Sequence, residues 1–120
     1  MVMGESVLRT KAYDFAVRTV KLARYLVEEK HEHILSKQVL RSGTSIGANV
    51  EEANQGQSRK DFVHKLSIAL KEATETNYWL RLLRDSETPE KKIAESLIND
   101  CEEIQKILTP SIKTTKNGRQ

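Results

Sequence analysis

Residues 62–83 carry an apolar or small side chain at alternating four- and three-residue intervals, and no other stretch constrains the fold of the chain as strongly. This spacing is typical of a helix that packs along its whole length against other helices. The members of the stripe are Phe62, Leu66, Ala69, Ala73, Thr76, Leu80 and Leu83. Ser58 stands three residues before Asp61 and is predicted to cap the helix. The pattern therefore predicts a bundle helix over about residues 58–86.

The preceding helix, predicted over about residues 34–54, has an inner face built from small residues. Gly43 and Gly47 lie within it, although a glycine in a helix interior costs roughly 1 kcal/mol relative to alanine. Both are explained if another helix approaches closely there. A polar stripe runs beside this face, with three possible uses: hydrogen bonds across the bundle, a boundary between subunits, or ligand binding. The stripe consists of Gln38, Arg41, Ser45, Asn49 and Glu52.

Two further helices are predicted at the ends of the chain. Residues 6–30 place apolar side chains on about half of the helix circumference, which is wide enough to contact two neighbouring helices. Thr88 followed by Pro89 predicts the start of a helix over about residues 89–109. Pro110 is predicted to end it, because proline cannot donate the backbone hydrogen bond of a helix interior.

The three connections between these helices are short, so consecutive helices must run antiparallel. The sequence therefore predicts an all-α fold, an antiparallel up-down-up-down four-helix bundle. The bundle is expected to form one domain over residues 1–110. Residues 111–120 are polar and basic and are predicted to form a disordered tail.

Composition argues against several classes of protein. Cys101 is the single cysteine, so no intrachain disulfide is possible, and it is predicted to be a small core residue. No apolar run approaches the ~20 residues of a membrane span, and no signal peptide opens the chain. His31 and His33 have no cysteine or histidine partners at the spacing of a metal site. We predict a cytoplasmic protein with no metal, no cofactor and no membrane partner.

Charge is unevenly distributed along a chain whose net charge is +3. Residues 6–30 contain six basic and three acidic side chains, whereas residues 87–109 contain three basic and six acidic ones. These helices either pair within the fold or leave one face of an assembly positive. The cations are either solvated or contact phosphates. The candidate nucleic-acid-binding residues are Lys11, Arg18, Lys21, Arg24, Arg59 and Lys60.

The third helix carries a second stripe, which includes the only tryptophan of the chain. Either the fourth helix covers this stripe or it contacts another subunit, and we favour a subunit contact. Its two glutamates require cations, and Arg41 of the preceding helix is the candidate partner. The predicted oligomer interface therefore comprises Arg41, Ile68, Glu72, Glu75, Trp79 and Leu82.

Enzyme signatures are nearly absent from the sequence. It contains no glycine-rich phosphate loop, no Gly-x-Ser-x-Gly and no His-Glu-x-x-His. Arg59 and His64 fit the short Arg-x(4–6)-His pattern of HEPN ribonucleases, in which a histidine can act as a general base. Five residues on one helix place the two side chains about 140° apart, so they would converge only across a dimer. We therefore predict a protein that is not an enzyme, with HEPN-like ribonuclease as the lesser alternative.

A longer pattern extends over roughly residues 7–108. Its positions are Leu40-Arg41-Ser42, Ser45-Ile46, Asn49-Val50, Glu52-Ala53, Lys60, Phe62, Leu66, Ala69, Glu72-Ala73 and Glu75. In order and spacing it resembles the bacterial four helix bundle protein family, whose members are also called large-subunit rRNA intervening-sequence proteins.

The resemblance implies a ring-shaped homopentamer. Some members of that family are encoded within insertions in large-subunit rRNA genes. A relative acts as an accessory protein to the reverse transcriptase of diversity-generating retroelements and binds the polymerase and nucleic acid. The leading hypothesis is therefore a non-catalytic oligomeric interaction protein that binds structured RNA or a ribonucleoprotein through basic patches. The alternative is a protein-binding scaffold without nucleic acid.

Overall fold

The computed structural model describes the backbone of residues 3–118 and the side chains of residues 7–118. Within that range it contains no strand, and its four helices are α1 (Met3–Lys30), α2 (Leu35–Asn54), α3 (Arg59–Asp85) and α4 (Lys91–Lys116). Each helix packs on two others, so α1 lies diagonally opposite α3, and α2 opposite α4. The described chain measures 46 × 20 × 19 Å. The predicted antiparallel four-helix bundle is confirmed.

The α3 stripe supplies one wall of the core, as its spacing predicts. Six of its seven members, from Leu66 to Leu83, are buried, and Phe62 at the start of the helix is partly exposed. Ser58 caps the helix as predicted, because the backbone N–H of Asp61 donates to its hydroxyl oxygen at 3.1 Å. This satisfies one of the backbone donors that the first turn leaves unpaired.

The small residues of α2 allow α1 to approach closely. A Cβ atom added to Gly43 would lie 2.6 Å from Thr19 Cγ2, and one added to Gly47 would lie 3.4 Å from the carbonyl oxygen of Ala12. Ser42, beside Gly43, is buried and accepts a hydrogen bond of 2.8 Å from Thr76 of α3. The close approach predicted from the glycines is confirmed.

The predicted start of α4 is wrong. Thr88 and Pro89 precede the helix, which begins at Lys91, and the N-cap residue Glu90 makes no side-chain cap hydrogen bond. The backbone N–H of Thr88 donates instead to the carbonyl of Leu83 at 3.2 Å, and its hydroxyl pairs with that of Ser86 at 2.9 Å. Thr88 therefore closes the end of α3 and does not open α4.

The predicted end of α4 is also wrong, and with it the disordered tail. The helix continues through Pro110 to Lys116. Pro110 is exposed, so the backbone hydrogen bond that its ring removes is lost on the solvent side. Beyond it, Thr115 is buried and Ile112 packs against the core, which holds the last turns to the bundle. The last two residues of the predicted tail, 119 and 120, lie outside the described residues.

Candidate nucleic-acid interface

Two of the predicted nucleic-acid-binding cations on α1 form ion pairs with α4. The ammonium of Lys11 lies 2.8 Å from Glu103 Oε2, and the guanidinium of Arg18 pairs with Asp100. The hydrogen bond raises the pKa of Lys11 and lowers the pKa of Glu103. The basic first helix and the acidic last helix thus pair within the fold, which was one of the two arrangements that the charge distribution allowed.

The other four candidate cations occupy two separate places. Lys21 and Arg24 are exposed on the second half of α1, and Arg59 and Lys60 are exposed in the first turn of α3. Among the described side chains, none of the four lies within 4.0 Å of a carboxylate oxygen. The structure therefore does not join the six predicted residues into one surface.

A larger group of cations lies along the junction of α3 and α4. The side chains of Gln105 and Thr74 meet there at 3.4 Å. Lys116 follows Gln105 by eleven residues, which places it on nearly the same side of α4. Lys60 and Lys71 are likewise eleven residues apart and lie on the Thr74 side of α3. Lys106 and Lys113 lie about 80–100° further round α4 from Gln105, on its solvent side. We call this surface the lysine face; its members are Lys60, Lys71, Lys106, Lys113 and Lys116.

The lysines of this face form no salt bridges within the described part of the chain. All five side chains are exposed, and none has a carboxylate oxygen within 4.0 Å in the part of the chain that the structure describes. Lys60 and Lys71 are separated by about 16 Å along α3. Ser67, Thr74 and Thr109 add exposed hydroxyl groups on the same side of the two helices. Such a surface can contact several phosphate groups at once.

Of these five, the sequence predicts Lys60 as a candidate nucleic-acid-binding residue after the α1 cations, and it gives the tail cations Lys113 and Lys116 only a non-specific affinity for a polyanion. Lys113 and Lys116 lay in the segment predicted to be disordered, so no helical face was assigned to them. Lys106 lay in a helix that was acidic as a whole. The spacing of 106, 113 and 116 places the three on one side of a continuous helix, and this signal was available once Pro110 was allowed inside α4.

The predicted oligomer interface contains a network of charges between α2 and α3. The guanidinium of Arg41 donates to Glu72 at 3.4 Å and also pairs with Glu75, so the predicted ion pairs are confirmed. The indole N–H of Trp79 donates to Glu75 at 3.0 Å. The stripe is therefore tied to α2 and not to α4. Leu82, at its end, remains 38% exposed, and Ile68 is partly buried.

The polar stripe of α2 has a divided use. Arg41 and Glu52 reach α3, the latter through the ammonium of Lys65 at 2.6 Å. Ser45 and Asn49 donate instead to carbonyl oxygens one turn earlier in their own helix, at 2.7 and 2.8 Å. Arg41 and Glu52 therefore connect two helices, whereas Ser45 and Asn49 are partly exposed. Gln38, at the start of the stripe, accepts a hydrogen bond from Arg41 of the same helix at 3.2 Å.

The remaining candidates do not form a cluster. Arg59 lies beside the end of α4, since a Cβ atom added to Gly118 would be 3.4 Å from its Nη1. His64 is exposed about 140° further round α3. Among the described side chains, no three His, Cys, Asp or Glu residues are grouped so that they could hold a metal ion. Cys101 is buried, donates to the carbonyl of Ala73 at 3.2 Å, and has a pKa raised by burial to about 12.

A family model described as 23S rRNA-intervening sequence protein matches residues 5–110. The chain belongs to this family. A crystal structure from Bacteroides thetaiotaomicron VPI-5482, described as a protein with unknown function from the S23 ribosomal protein family, has 54% sequence identity and a TM-score of 0.91. The match covers 93% of this chain and all of that one. No curated protein matches the chain.

The family and the fold that the sequence pattern implied are thus confirmed. As for membranes, none of the helices in the described range combines the length and the apolar character needed to span a bilayer.

Proposed function

We propose that this protein is a non-catalytic, oligomeric interaction protein that binds structured RNA through the lysine face. The observation that carries the proposal is the exposure of five lysines, none of them in a salt bridge among the described residues, along one junction between two helices. The family is named for an intervening sequence of 23S rRNA, and the similar crystal structure is assigned to a ribosomal protein family. Both names agree with an RNA partner.

The binding would be electrostatic and directed at the shape of the RNA. Lysines that neutralise phosphates release condensed counterions, and this release makes affinity fall with salt. The lysine face has no extended aromatic platform for stacking of splayed bases. Tyr78, two turns beyond Lys71 on nearly the same side of α3, is a single exposed ring, and the Arg81 guanidinium already lies 5.7 Å from its centre. A duplex or stem-loop backbone is therefore a better ligand than an unstructured strand.

Oligomerisation would multiply this weak cationic surface. Leu82, Tyr78 and Ile34 leave apolar surface exposed beside the Arg41 network, and an apolar patch of this kind is typical of a subunit contact. In the pentamer that the family resemblance implies, five copies of the lysine face would act by avidity.

Light scattering should then give five times the 13.7 kDa chain mass. Leu82→Glu should lower the measured mass, whereas Thr74→Glu, on the α4 side of the same helix, should not.

The proposal is tested by a gel-shift salt series with a labelled 23S rRNA stem-loop. Five phosphate contacts per protomer predict a slope of log affinity against log salt of about −4 to −5 for each protomer engaged. The triple variant Lys106→Gln/Lys113→Gln/Lys116→Gln should make the slope shallower by about 2–3 for each protomer engaged. The matched control replaces three exposed lysines at the opposite end of the bundle: Lys37, Lys91 and Lys92.

Three results would decide against RNA binding by this surface. If no shift occurs at low salt, the lysines are only solvated, and the scaffold alternative is favoured. An equal loss in the control variant would show that net charge matters and the lysine face does not. Cleavage of the RNA that disappears in His64→Ala would favour the HEPN-like ribonuclease.

A further inference from the structure

The second half of the α1–α4 junction is not closed by side chains. Of the four neighbouring helix pairs, α1 and α4 pack least extensively, and they leave a groove of about 260 Å³. We call it the α1–α4 groove. The residues that line it are Arg18, Lys21, Leu22, Tyr25, Ile93 and Leu97.

The groove has an apolar floor. Leu22 and Leu97 are buried beneath it, while Ile93 and Tyr25 are partly exposed in its walls. Toward the N-terminus of α1 the junction is spanned by the Arg18–Asp100 ion pair, which ends the groove on that side. The volume is below the ~300–1000 Å³ of small-molecule sites, so it suits one or two anchoring side chains better than a cofactor.

Cations surround this apolar floor. Lys21 is exposed on the rim, and among the described side chains no carboxylate oxygen lies within 4.0 Å of its ammonium. The ammonium of Lys30 lies 5.9 Å from the centre of the ring of Tyr25, which lines the groove. Arg18, the other lining cation, is already paired with Asp100. The positive rim selects a ligand with negative charge, and the apolar floor selects one with an aliphatic or aromatic group.

We propose that the α1–α4 groove binds an acidic, amphipathic peptide segment of a partner protein. One large apolar side chain of the segment inserts above Leu22 and Leu97, and its flanking carboxylates pair with Lys21 and Lys30. A nucleic-acid backbone is a poorer occupant, because it would leave the apolar floor in water and its charges are not interrupted by apolar groups. This site is distinct from the proposed RNA surface, since α1–α4 and α3–α4 are different junctions of the bundle.

The test is selection of a random 12-residue peptide library, displayed on phage, against the immobilised full-length protein. The expected result is enrichment of peptides with at least two acidic residues next to one aromatic or large aliphatic residue. A synthetic peptide of the enriched sequence should then lose at least tenfold in affinity on Lys21→Glu, a substitution of an exposed residue that leaves the core intact. Ile93→Gln, in the wall of the groove, should weaken the same peptide.

The matched control is Lys71→Glu, which makes the same charge change on the lysine face. This variant should bind the peptide like the unchanged protein, while its affinity for the rRNA stem-loop should fall. Three results would overturn the proposal. The first is that no acidic sequence is enriched, and the second is that Lys21→Glu and Lys71→Glu lose peptide affinity equally. The third is that substitutions in the groove change only the mass of the oligomer. In the last case the occupant is a second copy of this chain. Loss of peptide binding leaves the RNA assay unaffected, so the two proposals fail independently.

Discussion

At the scale of single residues, Glu87 holds a backbone conformation that its side chain disfavours. Its φ of 56° is left-handed, and the N–H groups of Glu87 and Thr88 donate to the carbonyls of Arg84 and Leu83, at 3.2 Å each. This is the Schellman pattern of helix ends, in which glycine is the usual residue. The left-handed region costs an L-residue roughly 1–2 kcal/mol, and glycine avoids this cost. Glycine loses more conformational entropy on folding than other residues, which offsets part of the gain. We therefore expect Glu87→Gly to stabilise the fold by about 0.5–1 kcal/mol.

The measurement is urea unfolding followed by circular dichroism. Glu87→Ala is the control, because it removes the same exposed side chain but keeps the Cβ atom that makes the left-handed region costly. Equal stabilisation by alanine and glycine would show that the charge of Glu87, and not its backbone, is the unfavourable feature.

Cap residues show how far local sequence rules reach. The spacing of Ser58 to Asp61 predicts a cap, and the hydrogen bond from the Asp61 N–H to the serine hydroxyl oxygen is present. Thr88 and Pro89 matched an equally good start signal, yet Thr88 pairs with Ser86 and completes the end of α3. A local motif identifies what a residue can bond, whereas the preceding helix decides which bond forms.

At the scale of helices, the contact between Gly43 of α2 and Thr19 of α1 should be the most sensitive to added volume. A Cβ atom at Gly43 would lie 2.6 Å from Thr19 Cγ2, so the buried Thr19 side chain or one of the two helices must shift. We expect Gly43→Ala to destabilise the bundle by about 1–3 kcal/mol, as overpacking of a dense core does. The loss would occur although alanine is the better helix former by roughly 1 kcal/mol.

Gly47→Ala, one turn later in the same helix, is the matched control. Its added Cβ atom would meet the Ala12 carbonyl oxygen at 3.4 Å, an ordinary contact distance, so thermal unfolding should show little or no loss. Thr19→Ser removes the Cγ2 methyl and should restore part of the stability of Gly43→Ala. Equal effects of the two glycine substitutions would contradict a specific contact at Thr19.

The charged network between α2 and α3 should contribute through its pairing. Arg41 pairs with Glu75, which also accepts the indole N–H of Trp79. In a double-mutant cycle of Arg41→Ala and Glu75→Ala, we expect a coupling of about 0.5–1 kcal/mol, as for partly exposed ion pairs. Additive free energies of unfolding would show that the pair contributes nothing. Arg41→Ala combined with Glu52→Ala, whose partner is Lys65, should be additive.

The sequence was sufficient to predict the number, type and order of the helices, because each carries a continuous apolar stripe. It was not sufficient to predict where α4 ends. Pro110 alone indicates a stop, but the burial of Thr115 and the packing of Ile112 stabilise the turns that follow. Such contacts depend on the surface that the other helices present, which the periodicity of one helix does not contain.

At the scale of the whole molecule, the charges of neighbouring helices determine which cations remain available. The sequence predicts four nucleic-acid-binding cations on α1, yet two of them, Lys11 and Arg18, are paired with α4. Helical periodicity shows on which side of its helix a residue lies. It does not show which residues of two helices lie opposite each other, so the sequence left pairing within the fold as one of two alternatives. The same register brings Lys60 and Lys71 of α3 beside the lysines of α4, a grouping that no single segment shows.

The ion pair between Lys11 and Glu103 should make the stability of the bundle depend on pH. The pKa of Glu103 is lowered in the folded state, so its contribution is present above the ordinary carboxyl pKa and is lost as the pH falls through the folded value. The pKa of Lys11 is raised, so its contribution is present below the ordinary amine pKa and is lost as the pH rises through the folded value.

We therefore expect the unchanged protein to exceed Lys11→Met in stability at pH 7 and to lose this advantage toward both pH 3 and pH 12, as measured by urea unfolding. Lys21→Met, on the same helix, is the control and should differ from the unchanged protein by an amount that does not vary with pH between 3 and 7. Salt at about 1 M should reduce the stability difference between the unchanged protein and Lys11→Met. Both groups of the pair are exposed, and the Debye length at this salt concentration is only about 3 Å. A Lys11→Met difference that stays constant with pH would show that the pair does not hold α1 to α4 in solution.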